Sequence, residues 1–259
     1  MQVIQWSMLA LMMTSLASCS SSDAADADAA KPHPGFAVVE LFTSEGCSSC
    51  PPADEQLSRI LAEARKNGSA VYPLAFHVDY WNNLGWRDRF SSADFSARQQ
   101  AYATVMGRTQ IYTPQMIVNG SEEFIGSDGE KANNAIKTAL EKGPADSLKI
   151  EAMLKDRKLS VRYDIIIGSK PTTGTDLNIA IVERGLETAV KAGENSHCTL
   201  KHDNVVRLFK TVSPTDDGKG TVELNLPDGV EVKNISVIAF LQDSKSMKIL
   251  AASGCDVAK

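Results

Sequence analysis

Cys47-Ser48-Ser49-Cys50 stands directly after an apolar run, Ala37-Val38-Val39-Glu40-Leu41-Phe42, and directly before a segment with helical spacing. No other stretch constrains the chain as strongly. Two sulfurs separated by two residues can close a disulfide across one turn. A cysteine at the start of a helix meets free backbone N–H groups and the positive end of the helix dipole, and both favour its thiolate. A strand, a turn and a helix in this order predict a redox pair. The same spacing also serves zinc, and a permanent inert disulfide is the other alternative.

The first 18 residues carry no charge and are mostly apolar, with Met8-Leu9-Ala10-Leu11-Met12-Met13 at their centre. The run is too short to span a bilayer and suits the core of a signal peptide. It ends in Leu16-Ala17-Ser18-Cys19, which resembles a bacterial lipobox with Cys19 as the lipidated residue, although no Lys or Arg precedes the apolar run. Residues 1–19 are therefore expected to be a signal peptide with lipobox, and residues 20–35, rich in Ser, Asp, Ala and Pro, a flexible tether. The implied location is outside the cytoplasm, in the periplasm or cell envelope, with the membrane reached through a lipid anchor alone. The net charge of −5, with no basic stripe, argues against a nucleic-acid partner.

From Phe36 to about residue 145 strand and helix signals alternate. Leu57, Ile60, Leu61 and Ala64 share a helical face, and Pro51 and Pro52 fit the first turn of that helix. Val71–Val78 and Gln115–Asn119 read as strands, Asn119-Gly120 as a hairpin turn, and Ser91–Met106 as a helix. Ser127 and Glu130 have capping-box spacing before a last helix. The order β-α-β-α-β-β-α is that of a thioredoxin-like α/β domain. From Ser147 onward the period changes to two: Leu148, Ile150, Ala152, Leu154; Leu159, Val161, Tyr163; Leu177, Ile179, Ile181; Ile235, Val237, Ala239, Leu241. The fold class expected is an α/β thioredoxin-like domain at 36–145 followed by an all-β, sandwich-like domain at 146–259.

The stretch Val39-Glu40-Leu41-Phe42-Thr43-Ser44-Glu45-Gly46-Cys47-Ser48-Ser49-Cys50-Pro51-Pro52-Ala53-Asp54 resembles a family of bacterial secreted proteins known as a domain of unknown function with a thioredoxin-like fold. His77-Val78-Asp79-Tyr80-Trp81, Arg98-Gln99-Gln100-Ala101-Tyr102 and Tyr112-Thr113-Pro114-Gln115 continue the resemblance, and Gly193-Glu194-Asn195 and Val205-Val206-Arg207 extend it weakly. The resemblance implies the fold and is silent on substrate.

Within this frame Cys47 is the expected nucleophile, exposed at the helix start, and Cys50 the buried resolving thiol. Thr113-Pro114, just before a strand, matches the cis-proline position of thioredoxin-like proteins, where the residue before the proline faces a bound peptide. Glu40 is a candidate base for the resolving thiol, with an exposed strand position as the alternative. His77, Asp79, Tyr80 and Trp81 lie at or past the end of a strand, where open α/β sheets build their sites, and form a candidate substrate groove to which Trp86 also contributes. Of five cysteines, Cys198 and Cys255 remain; a bridge between them would close a loop of about 60 residues and stabilise by about 4 kcal/mol. His197, Cys198 and His202 read as structural residues.

These residues point to an exported thiol–disulfide oxidoreductase acting through Cys47 and Cys50 on a protein or small-molecule thiol or disulfide. Its electron donor is unspecified, and no cofactor or metal is expected. Two alternatives use the same chain differently: a copper(I) chaperone binding through Cys47 and Cys50, with His77 as a possible third ligand, and a non-enzymatic interaction module. A thiol peroxidase is disfavoured, because Thr43 stands four residues before Cys47 rather than three.

Overall fold

Every position of β1 (Ala37–Thr43) is buried, so both faces of this strand must be covered. The computed structural model describes Met1 and residues 35–143, 146–166 and 174–258. The expected signal segment with Cys19 lies outside the described residues apart from Met1, as does the tether apart from Gly35. Helix α1 (Pro51–Asn67) opens with Pro51 and Pro52 in its first turn, where a missing N–H leaves no bond unmade. It stops at Gly68, whose left-handed φ of 62° lets its N–H reach the Ala64 carbonyl. β2 (Val71–His77), α2 (Ala93–Val105), β3 (Gln115–Val118), β4 (Glu122–Ile125) and α3 (Gly129–Glu141) follow. Asp128, not Ser127, caps α3, accepting from the Lys131 N–H at 3.1 Å. After α3 the described residues form nine strands, with a 3-10 turn at Val232–Asn234: β5 (Ser147–Lys155), β6 (Lys158–Ile166), β7 (Thr175–Glu183), β8 (Leu186–Ala189), β9 (Thr199–His202), β10 (Val205–Val212), β11 (Lys219–Asn225), β12 (Ile235–Asp243) and β13 (Ile249–Asp256). None of the three α-helices among the described residues is long and apolar enough to cross a membrane.

The later strands do not build a separate domain, and this overturns the expected fold class of a thioredoxin-like α/β domain followed by a β-sandwich. The protein is mostly β, and its main sheet is a single mixed one of eight strands in the order β13-β12-β7-β10-β2-β1-β3-β4. β1 pairs parallel with β2 and antiparallel with β3. The join between the two halves of the chain is β10 beside β2, parallel, with Val205 opposite Ala75. Asn204 reinforces it: its carbonyl accepts from the Ala75 N–H at 2.9 Å, and its side-chain amide donates to the Pro73 carbonyl at 2.9 Å. β5, β6 and β11 form a second, three-stranded sheet, and β8 and β9 a two-stranded one.

The period-two signal in the second half was incomplete because β7 and β12 are buried on both faces. Leu177, Ile179, Ile181, Val237 and Ala239 face the three-stranded sheet. The intervening Ala180, Val182, Ile238 and Phe240 join Phe42, Phe76 and Tyr102 in a core shared with α2. Double-sided burial marks an interior strand of a large sheet rather than an inner face of a sandwich. α1 and α3 cover the opposite face of β1–β4 through Leu57, Ile60, Ala132 and Ala135.

A buried ion pair fastens α2 to this sheet. Arg98 Nε lies 2.7 Å from Glu40 Oε1, and its NH1 and NH2 donate to Gln242 Oε1 at 3.2 Å and the Tyr102 hydroxyl at 3.0 Å. Its guanidinium stands 4.9 to 5.6 Å from the ring centroids of Phe76, Tyr102, Phe209 and Phe240. Removing one partner of such a pair strands a buried charge and costs about 3–5 kcal/mol. Glu40 comes from β1 and Gln242 from β12, so Arg98 links strands from both halves of the chain.

A fragment spanning residues 36–145 should therefore fail to fold, since it lacks β10 beside β2, the Gln242 partner of Arg98 and two of the four rings around it, Phe209 and Phe240. Urea unfolding of the whole chain should give one transition, coincident by tryptophan fluorescence and circular dichroism, and the fragment none. A cooperative transition in the fragment would contradict the shared core.

Candidate functional site

β1 and β2 end side by side, with Thr43 opposite His77. Beyond Thr43 the backbone turns through residues 44–50 into α1. The Cys47 N–H donates to the Ser44 carbonyl at 3.2 Å, and the Cys50 N–H to the Cys47 carbonyl at 3.2 Å. Cys50 is the N-cap, and its carbonyl accepts from Ala53 at 2.8 Å and Asp54 at 3.1 Å. Cys47 thus stands ahead of the helix and Cys50 at its first residue boundary. The Thr113–Pro114 peptide bond is cis, and the Thr113 carbonyl faces Cys47 Sγ at 3.9 Å.

Both cysteines are free thiols, and their environments separate them. The Cys47 thiol is held down to about 6, chiefly by its hydrogen bond with Cys50, against burial and with help from Ser49 at 3.2 Å and Thr113. Burial pushes Cys50 far up, and the hydrogen bond and charge of Cys47 and the charge of Asp54 push it further. The turn therefore favours the thiolate at Cys47 and the protonated thiol at Cys50.

The expected exposure of Cys47 is corrected by the structure: the residue has no exposed surface. Ser49 Oγ lies 3.2 Å from its sulfur, and a loop from the second half of the chain clamps the turn. The Asn195 amide donates to the carbonyls of Glu45 and Cys47, both at 2.9 Å, and Glu194 Oε2 accepts from the Ser48 N–H at 2.9 Å.

Beneath the dithiol lies a buried cluster of two histidines and three carboxylates: His77, His202, Glu45, Asp54 and Asp88. His77 Nδ1 is 2.6 Å from Asp88 Oδ2, and Asp88 also accepts from the Glu45 and Phe90 N–H groups, each at 2.9 Å. Burial acts to raise Asp88, but the charge and hydrogen bond of His77 outweigh it and hold the carboxyl below its usual range. Glu45 is likewise kept low against burial, by His202 and by Trp86 Nε1 at 2.8 Å. Asp54 behaves oppositely: burial drives it up to about 7, with the charge of His202 the largest opposing influence. The ring of His202 stands edge-on to His77, centroids 4.9 Å apart, with Nε2 3.5 Å from Glu45 and Nδ1 3.7 Å from Asp54.

Several residues expected at the site do other work. Glu40 cannot serve as base for Cys50, because Arg98 and the Tyr102 hydroxyl occupy its carboxylate; Asp54 is the carboxylate whose charge acts on that thiol. Tyr80 and Trp81 brace the cis-proline segment: Trp81 Nε1 donates to Thr113 Oγ1 at 2.8 Å, and Tyr80 donates to Gln99 Oε1 at 3.1 Å, while Gln99 Nε2 holds the Tyr112 carbonyl at 2.7 Å. Asp79 accepts from Ser96 at 2.5 Å, turned toward α2 rather than toward a groove. His77, committed to Asp88, is not free to ligate a metal through Nδ1. Among the described residues no group of three or more His, Cys, Asp or Glu side chains is set to hold a metal ion.

The bridge expected between Cys198 and Cys255 is not formed; both are free thiols. Cys198 follows Asn195 near the start of α1, with its N–H on the Asn195 carbonyl at 3.1 Å. Cys255 lines an open cavity with Arg65 and Gly68 at the other end of α1. Fifteen residues of helix separate Cys50 from Arg65, about 22 Å, and a disulfide needs Cα atoms within about 7 Å.

His202, read from the sequence as structural, is the residue most clearly missed, with Asp54, Glu45, Asp88 and the Glu194-Asn195 pair. Two signals were available. Asp54 continues the buried stripe of Leu57, Leu61 and Ala64 on α1, and His202 shares the buried face of β9 with Leu200. A titratable residue on an apolar face needs a partner.

Asp54 binds its proton more tightly in the folded chain, at about 7 against an ordinary 3.8. Its contribution to stability is complete below about pH 4 and is lost as pH rises through 7. Asp54→Asn should therefore stabilise the protein at pH 8, by at most roughly 4 kcal/mol, and by nothing at pH 4, as read from urea unfolding at the two pH values. Asn195→Ala should raise the rate of Cys47 alkylation by iodoacetamide several-fold, because it frees the turn from two hydrogen bonds. An unchanged rate would show that the clamp does not limit access.

Residues 38–242 match the family described as Protein of unknown function (DUF1223). No match to a curated protein was found. Among solved structures, a protein from Agrobacterium tumefaciens is 29% identical with a TM-score of 0.64, covering 84% of this chain and 92% of its own. HBP35 of Porphyromonas gingivalis is 15% identical with a TM-score of 0.62, covering 87% of this chain and 76% of its own, and at that identity the likeness is one of fold. The matched region runs from β1 to β12 and takes in the cysteine turn, the cis proline and His202, and on this ground the chain belongs to the DUF1223 family.

Proposed function

We propose that the protein is a thiol–disulfide oxidoreductase working through Cys47 and Cys50. The observation that carries this reading is the asymmetry of the two free thiols in one turn. Cys47 is brought down to about 6 by Cys50, Ser49 and Thr113, and Cys50 is driven far up by burial. An attacking thiol works best with a pKa near the ambient pH, and a resolving thiol must wait protonated until it is needed.

The chemistry balances without an added cofactor. The Cys47 thiolate attacks one sulfur of a substrate disulfide; a Cys47–substrate disulfide forms and the other substrate sulfur leaves as a thiolate. Cys50 then gives up its proton and attacks Cys47 Sγ. The Cys47–Cys50 disulfide forms and the second substrate thiolate is released. The substrate gains two electrons and the protein dithiol loses them. The same steps run backwards transfer a disulfide to a substrate dithiol. Asp54, one turn into α1, is the carboxylate suited to take the Cys50 proton. Because Asn195 and Glu194 clamp the turn, a substrate reaches Cys47 once the 193–195 loop lifts. The substrate is a protein or small-molecule disulfide, and the donor a thiol compound. The sequence of residues 1–19 supports export with lipid attachment at Cys19, which fits disulfide chemistry outside the cytoplasm.

Turnover of insulin or glutathione disulfide by the reduced protein tests the reading. Cys47→Ser should abolish turnover, and Cys50→Ser should accumulate a mixed disulfide at Cys47, visible by mass spectrometry. Failure of the wild type to reduce or oxidise either substrate would sink the proposal.

A further inference from the structure

Resolving a mixed disulfide requires a proton acceptor for Cys50, whose thiol is kept protonated by burial and by its neighbouring sulfur. Asp54 is suited by position: its backbone N–H bonds the Cys50 carbonyl at 3.1 Å, and its carboxyl acts on Cys50 from the buried face of α1. Burial works against it, because a carboxyl without a compensating charge in this environment stays neutral and accepts nothing. The compensation comes from His202, which stands between two carboxylates, 3.7 Å from Asp54 and 3.5 Å from Glu45.

His202 is placed there by ring packing. Its ring packs edge-on against His77 at 4.9 Å and against Phe90 at 5.9 Å. Asp88 fixes His77 at 2.6 Å, and Arg207 lies over Phe90 at 5.3 Å while pairing with Glu183. The titratable groups that face the Asp54–His202 pair are Cys47, Cys50 and Glu45 from the turn, His77 from β2 and Asp88 from the segment after it. Of these, Asp88 is engaged by His77, while Glu45 gives Oε2 to Trp86 and turns Oε1 toward His202 at 3.5 Å, so the ring of His202 serves both Glu45 and Asp54.

We propose that His202 is a positioning residue for the dithiol: supplied by β9, its ring stands 3.7 Å from Asp54 and in its protonated form favours the carboxylate that accepts the proton of Cys50. The step is complete in atoms and electrons. As Cys50 Sγ attacks Cys47 Sγ, its proton passes to an Asp54 oxygen, the sulfur–sulfur bond to the substrate breaks, and the substrate thiolate leaves with the electron pair. This deepens the thiol–disulfide reading and rests on it for the step, but the Asp54–His202 coupling is measurable without any turnover.

Two measurements separate them. Infrared titration of the reduced protein, with Asp54→Asn identifying the band, follows the Asp54 carboxyl directly. In the wild type its midpoint should lie at about 7, and a midpoint below 5 would overturn the proposal whatever any variant does. His202→Gln should move that midpoint upward by at least one pH unit, because loss of a positive charge disfavours the carboxylate. His202→Lys, which keeps the charge, should move it less. The second measurement is the pH profile of single-turnover resolution, starting from a Cys47 mixed disulfide with glutathione. The rise in rate should shift upward in His202→Gln by the same interval, with the high-pH plateau within about threefold of wild type, a split that mere loss of packing would not produce. An unmoved midpoint in a folded His202→Gln protein overturns the role of His202. If resolution is undetectable in the wild type while the infrared midpoint shifts as stated, the exchange reading fails and the coupling stands.

Discussion

The parallel pairing of β10 with β2 is the contact on which the rest of the molecule depends. It is short, a single register pair with Val205 opposite Ala75, and is lengthened by the two hydrogen bonds of Asn204. Through it the strands of the second half continue the sheet begun by β1 and β2. Asn204 and Val205 come two and three residues after His202, the last of β9, so the same pairing that closes the sheet also brings His202 against the ends of β1 and β2. The loop bearing Glu194 and Asn195 precedes β9 and reaches the cysteine turn. A site that begins at one strand–helix turn is thereby completed by residues about 150 positions later.

Two buried charged networks stand on different parts of this frame and have different physical characters. Arg98 with Glu40, Tyr102 and Gln242 is saturated: the guanidinium is bonded on several sides and enclosed by aromatic rings. Such a network fixes α2 against the sheet, and Glu40 helps the guanidinium of Arg98 hold its proton against burial. The cluster under the cysteines is looser. His202 meets its carboxylates at 3.5 and 3.7 Å, and burial raises Asp54 to about 7. Titratable groups with divided protonation close to a reactive sulfur are the arrangement expected where chemistry needs a movable proton.

Local signals in the sequence were dependable where a short stretch decides its own conformation. The two prolines of α1, Gly68 at its end and the Asn119-Gly120 turn all read correctly, because each depends on backbone geometry within a few residues. The period-two pattern after Ser147 announces strands, but four of them, β7, β10, β12 and β13, extend the sheet of β1 and β2 instead of forming a separate sandwich. Alternating Leu177, Ile179 and Ile181 announced one apolar face, while Asn178, Ala180 and Val182 on the other face gave no such announcement. That second face is buried under α2, and nothing near those residues in the sequence says so.

By itself the sequence determined the dithiol, the strand before it, the helix after it and the proline that faces it, since a C-x-x-C turn and its flanks are written within a few residues. Tertiary structure alone decided which carboxylate serves that turn, how far Cys47 is covered and where the lone cysteines lie. Glu40 and Asp54 are both acidic residues near the motif, but the sheet turns one toward Arg98 and the helix turns the other toward His202. Burial and the charge of a distant residue set a proton affinity, and both arise only when strands far apart in the chain lie side by side.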